Sequence, residues 1–98
     1  MLLFEWNKNK AKKNFKIHGI SFDEACSAFK DTLSLTIYDP LHSDDEDRFI
    51  VIGNSVDNRL LVVVHTERRD KIRIISARKA TKHERKQYEE NAKRSRHA

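Results

Sequence analysis

The chain has 98 residues, with 20 Lys+Arg against 15 Asp+Glu and a net charge of +5. That length holds one domain, read as residues 1–92 with a basic tail at 93–98 that is expected to be disordered. The longest apolar run, Leu60–Val64, is far short of the roughly 20 residues that span a bilayer. Residues 1–15 do not read as a signal peptide, and the lone Cys26 excludes a disulfide framework or a multi-cysteine zinc site, so the expectation is a small cytoplasmic domain with no membrane partner.

In chain order, Leu2–Trp6 reads as a short strand. Asn7 is placed to cap a helix running to about His18, with Ala11, Phe15 and His18 on one narrow apolar face and Gly19 at its left-handed end. Ser21-Phe22-Asp23-Glu24 is a capping box opening a second helix to about Lys30, with Phe22, Ala25, Cys26 and Phe29 turned inward. Leu33–Ile37 reads as extended. Tyr38–Asp47, with Pro40 and five acids, reads as a solvated loop. Arg48–Ser55, Arg59–Glu67 and Lys71–Arg78 form three strands of an antiparallel meander, joined by turns at Asp57-Asn58 and Arg68–Asp70. The middle strand is apolar at both parities and should be buried on both faces. Thr81-Lys82-His83-Glu84 is a second capping box. It starts a helix in which only Tyr88 and Ala92 offer packing. The fold class is α+β: a small antiparallel sheet (the three-strand meander plus the N-terminal strand) with two N-terminal helices and one C-terminal helix against one face.

The charge is uneven. Residues 78–98 hold eight cations against three acids, which supplies the whole excess. A second basic cluster lies at Lys8, Lys10, Lys12, Lys13 and Lys16, and acids gather at Asp44, Asp45, Glu46 and Asp47. Clustered cations attract polyanions, although a solvated helix face has the same composition.

The strand from Lys71 to Arg78 carries the sharpest signal. Strict alternation puts Arg73, Ile75 and Ala77 on one face and Ile72, Ile74, Ser76 and Arg78 on the other. An arginine inside a half-buried strand needs a carboxylate or a bound anion: either Arg73 pairs with Glu67 or Glu46, or it grips phosphate. His65, Thr66, Glu67 and Arg68 place an imidazole, a hydroxyl, a carboxylate and a cation in one stretch. Cleavage of RNA by its own 2′-OH needs a base, a proton donor and cations for the phosphorane charge. Glu67 or His65 is the candidate base and Arg68, Arg73 and Arg78 are the candidate cations. Tyr88 either donates a proton or anchors the last helix. The acidic run lacks the spacing of a calcium loop. With glycine only at 19 and 53, a glycine-rich phosphate loop is excluded. No metal or cofactor is expected.

Phe4-Glu5-Trp6, Asn14, His18-Gly19 and Ser21-Phe22-Asp23-Glu24-Ala25 resemble the N-terminal half of the BrnT toxin family. Glu46-Asp47-Arg48-Phe49 with Gly53 resembles its middle. Leu60 to Arg68, then Ile72-Arg73-Ile74-Ile75-Ser76-Ala77-Arg78-Lys79-Ala80, Glu84-Arg85 and Tyr88-Glu89, resemble its C-terminal half. The sequence departs at Asn7, where Asp is expected, and at Arg69, where a turn glycine is more usual. The resemblance implies a RelE-like fold and a ribonuclease toxin of a bacterial type II toxin–antitoxin pair, which shuts down translation. It implies a BrnA-type antitoxin as partner, RNA as substrate, and operator DNA reached only through the antitoxin. It favours Arg68, Arg73, Arg78 and Tyr88 over His65 alone as the working residues. Lys79, Lys82, Arg85 and Lys86 are expected to bind RNA. The alternative is a degenerate toxin that binds RNA or protein without cutting.

Overall fold

The computed structural model describes residues 2–42 and 46–97. Strand β1 is Leu3–Glu5. Helix α1, Lys8–His18, starts where Asn7 accepts the Lys10 N–H at 3.1 Å and ends at Gly19, whose φ of +71° is the left-handed cap. Its inward face differs from the expected one: Phe15 is 51% exposed, and the buried residue is Asn14. The Asn14 amide donates to the carbonyls of Ile20 and Ala77 at 3.0 and 2.9 Å and accepts the Ala77 N–H at 3.1 Å. Three bonds to otherwise unpaired backbone outweigh an aromatic contact at the rim.

Helix α2, Phe22–Ala28, opens as the capping box requires, with Ser21 Oγ accepting the Glu24 N–H at 3.0 Å. The return arm is not made. Glu24 turns inward instead, accepting from Ser55 Oγ at 2.7 Å and Arg59 Nε at 2.9 Å. The helix stops short of Lys30 because Asp31 turns the chain: its carboxylate accepts the Leu33 N–H and its carbonyl the Ser34 N–H. The following strand, β2, is accordingly displaced to Leu35–Asp39.

Strands β3 (Arg48–Asn54), β4 (Leu60–Arg68) and β5 (Lys71–Lys79) form the meander. The sheet has five strands in the order β1-β5-β4-β3-β2, all antiparallel except β1, which lies parallel to β5. Helix α3, Lys82–His97, is capped reciprocally by Thr81 and Glu84 and is helical past Lys93, where the tail was expected.

The helices do not share one face. Ile20, Phe22, Ala25 and Ala28 from α2 and its approach pack on Leu61, Val63, Ile74 and Ala77, whereas Tyr88 of α3 packs on Ile52, Leu60 and Val62. A central strand that is apolar on both sides needs cover on both, and α3 provides the second. Gly53 lets α2 approach β3: a Cβ there would stand 2.6 Å from the Ala28 carbonyl oxygen. The tight β4–β5 turn puts Arg69 at φ +56°, a left-handed conformation that suits the turn glycine expected there.

Candidate active site

The register of β5 decides where the arginines point. Val64 pairs with Ser76 but His65 pairs with Ile74, so Ile75 is an extra residue, a β-bulge. Alternation restarts there. Arg73 lies opposite Thr66, Ser76 opposite Val64 and Arg78 opposite Val62, all on the α3 side of the sheet, while Ile74 and Ala77 face the other helices. The expected separation of Arg73 and Arg78 onto opposite faces is therefore wrong, because one inserted residue cancels the odd spacing between them.

The same register lines up a row across all five strands: Asp39, Arg48, Thr66, Arg73 and Glu5. It runs across the end of the face that α3 does not cover. Arg73 donates to Glu5 at 2.9 Å, not to Glu67 or Glu46. Arg68 projects beside the row and holds Glu46 in a two-pronged bond at 2.7 and 2.5 Å. The Glu46 carboxyl is held below its usual range, first by the Arg68 hydrogen bonds and further by the fields of Arg68, Arg73 and Arg48. Arg68 thus grips Glu46 directly while the charges of Arg73 and Arg48 act on it from the row, and Thr66 Oγ1 between Arg48 and Arg73 is buried with no hydrogen-bond partner among the described residues. Glu46 is exposed, as expected of its loop, but paired with Arg68, and Asp47 accepts the Tyr38 hydroxyl at 3.0 Å. Asp44 and Asp45 lie outside the described residues.

The remaining candidates sit elsewhere. Arg78 is four residues further along the sheet, about 14 Å at the usual strand rise, in a two-pronged pair with Glu84 at 2.7 and 2.8 Å. Tyr88 is 8% exposed, donates to Asp31 Oδ2 at 2.6 Å and accepts from Asn54 Nδ2 at 3.3 Å. That geometry anchors α3 to the sheet. His65 is 2% exposed on the α2 side, edge-on to Phe29 and stacked on Phe49. Burial pushes its pKa down, against the pull of Glu67 4.0 Å away. Glu67 itself is 62% exposed at the end of β4. Lys79 points to the α2 side, where its charge acts on Glu24, so it does not join the arginines. Lys82, Arg85 and Lys86 are exposed on α3.

Sequence reasoning missed Arg48, Glu5 and the grip on Glu46. One signal was available for Arg48: counting outward from the Asp57-Asn58 turn sets Arg48 opposite Thr66.

The sequence matches a family model described as the ribonuclease toxin, BrnT, of type II toxin–antitoxin systems, over residues 6–84. Among solved structures, the Brucella abortus ribonuclease toxin BrnT is similar, with a TM-score of 0.63 and 23% identity over 84% of this chain and 100% of that chain. That likeness extends to the α+β fold. A comparison with curated proteins finds no match.

Proposed function

The chain belongs to the BrnT family of ribonuclease toxins of type II toxin–antitoxin systems, and from that membership we propose that it is a metal-independent endoribonuclease working on the sheet face around Arg68 and Arg73. The carrying observation is the two-pronged grip of Arg68 on the Glu46 carboxylate, beside the register row that sets Arg48 and Arg73 on either side of Thr66. A carboxylate and a phosphate present similar oxygens to a guanidinium, so the place Glu46 holds is one that an RNA phosphodiester fits. There the 2′-oxygen attacks phosphorus and the bond to the 5′-oxygen breaks, leaving a 2′,3′-cyclic phosphate and a 5′-hydroxyl. Arg68, Arg73 and Arg48 stabilise the charge that builds on the phosphorane oxygens. The proton transfers fall to Glu5, beside Arg73 on the same face, because Glu67 closes β4 on the opposite face with His65. Arg78 extends the cationic face toward α3, with Lys82, Arg85 and Lys86 holding the RNA backbone beyond it.

Membership of the family supports a wider role. The protein acts in the cytoplasm, cuts messenger RNA and so stops translation. A BrnA-type antitoxin neutralises it and carries the complex to operator DNA. No described helix is long and apolar enough to cross a membrane. One observation favours the non-cutting alternative: Tyr88, a candidate proton donor, is committed to Asp31.

The test is cleavage of end-labelled RNA by purified protein in EDTA, with product ends identified. Cyclic phosphate ends, lost in a folded Arg73→Ala variant, support the reading. Intact RNA, or undiminished cleavage by Arg73→Ala, overturns it.

A further inference from the structure

The basic cluster near the start of the chain takes no part in the arginine face. Helix α1 carries Lys8, Lys10, Lys12, Lys13 and Lys16 and has no acid in its first turn. All five lysines are exposed, and none pairs with an acid among the described residues. Lys8, Lys12 and Lys16 follow one another four residues apart on the side away from buried Asn14, so like charges are stacked. Lys8 and Lys10 also stand at the positive end of the helix dipole. Both arrangements oppose the helix, which its caps and the Asn14 bonds hold in place regardless. Beside this stripe, Phe15 is 51% exposed.

We propose that the outer face of α1 is a second RNA-docking surface, separate from the cleavage site. A polyanion laid along Lys8, Lys12 and Lys16 turns both repulsions into attraction, and Phe15 offers a ring on which a base can stack. Asn14 bonds α1 to the edge of β5 at Ala77, and Ala11 packs into the core on the sheet face opposite the arginines, so the stripe runs from the β1 end away from the scissile phosphate. The surface therefore adds affinity for RNA long enough to pass round the β1 edge, and adds nothing to the chemical step. The proposal rests on RNA being the substrate.

The experiment compares the wild type with a Lys8→Gln, Lys12→Gln, Lys16→Gln variant and with the corresponding triple arginine variant. The probes are a tetranucleotide and a long messenger fragment, both with 2′-O-methyl sugars that cannot be cut. For the glutamine variant, affinity for the long RNA should fall about tenfold or more. Its slope against log salt should drop by about 2, at roughly 0.7 per lost cation. Tetranucleotide binding should be unchanged, and the arginine variant should behave as wild type. Equal losses on both probes, or no loss on the long one, overturn the proposal while leaving the ribonuclease reading intact. Loss of antitoxin binding with RNA affinity unchanged also overturns it. A wild type that binds neither RNA sinks both.

Discussion

Replacing Tyr88 by Phe separates anchoring from catalysis. The ring stays and no cavity opens, so the loss falls on the hydroxyl's bonds, among them the hydroxyl to Asp31 Oδ2 at 2.6 Å and Asn54 Nδ2 to the hydroxyl at 3.3 Å. The first is charge-assisted and worth roughly 1.5–3 kcal/mol; the second is neutral and long, worth about 0.5 kcal/mol. Asp31 keeps the N–H groups of Asn54 and Leu33, at 2.8 and 2.9 Å, so no carboxylate is stranded and the total belongs near the lower end, about 2 kcal/mol. Urea unfolding at pH 7 measures it, with an unchanged m-value. The acid side gives an independent check. Burial alone would raise the Asp31 pKa, but the Asn54 N–H, the Tyr88 hydroxyl and the Leu33 N–H outweigh it and the pKa lies below 3.8. A depressed carboxyl stabilises the fold above its unfolded pKa, and that stability is lost as the pH falls through the folded value. Removing the hydroxyl moves the folded pKa up, so the gap between wild type and variant should close in acid. Faster hydrogen exchange along α3 should accompany the loss. A gap under about 0.5 kcal/mol at pH 7, or one independent of pH, would refute the anchoring argument. So would a folded, fully stable variant that no longer cuts RNA.

Glu46→Gln takes away the charge that occupies the arginine cluster. RNA affinity should rise several-fold and the salt slope should steepen, by filter binding on uncleavable RNA; unchanged or weaker binding would mean that Glu46 does not compete with phosphate. The Glu84 carboxyl is drawn down to about 2, chiefly by its paired bonds from Arg78 and against the cost of burial. Its contribution is complete above the ordinary value of 4.5 and is lost as the pH falls from there toward 2. An Arg78→Met variant should therefore lose on the order of 1–3 kcal/mol less than wild type across that interval, read as denaturation midpoints at a series of acid pH values.

The local grammar of the chain was legible because it is written in neighbouring residues. Asn7, Gly19, Ser21 and Thr81 each terminate or start a helix by bonds within three or four positions. The meander is similarly local, and the apolar run of β4 correctly announced burial on both sides. What escaped depends on distant partners. Nothing near Leu3–Glu5 says that it lies parallel to β5, and nothing near Glu24 says that its carboxylate serves Arg59 rather than its own helix. Ile75 carries no glycine to mark a bulge, so the arginines were assigned to faces by a parity that the strand does not keep. For the site, the residue types were legible and the grouping was not. Arg68 and Arg73 do share a locality, but with Arg48 and Glu46 in place of His65 and Tyr88.

The extra residue in β5 makes the strand two half-strands out of phase, and this changes which mutations matter most. Arg73 and Arg78 are an odd number of positions apart yet point alike only because Ile75 absorbs one step. Deleting Ile75 leaves four steps between the two arginines and every cross-strand partner in place, so both faces survive and the strand loses only its bulge. Pairing Ile75 without shortening the strand does the opposite: either Lys71 and Arg73 exchange places with Ile72 and Ile74, or Ser76 and Arg78 exchange with Ala77 and Lys79. Each exchange drives a cation into the apolar side and an aliphatic group into the cationic one. Neighbouring strands β1 and β4 fix the outer ends, so the extra residue is confined between them. This strand thus tolerates the loss of its extra residue better than any change that draws that residue into the ladder.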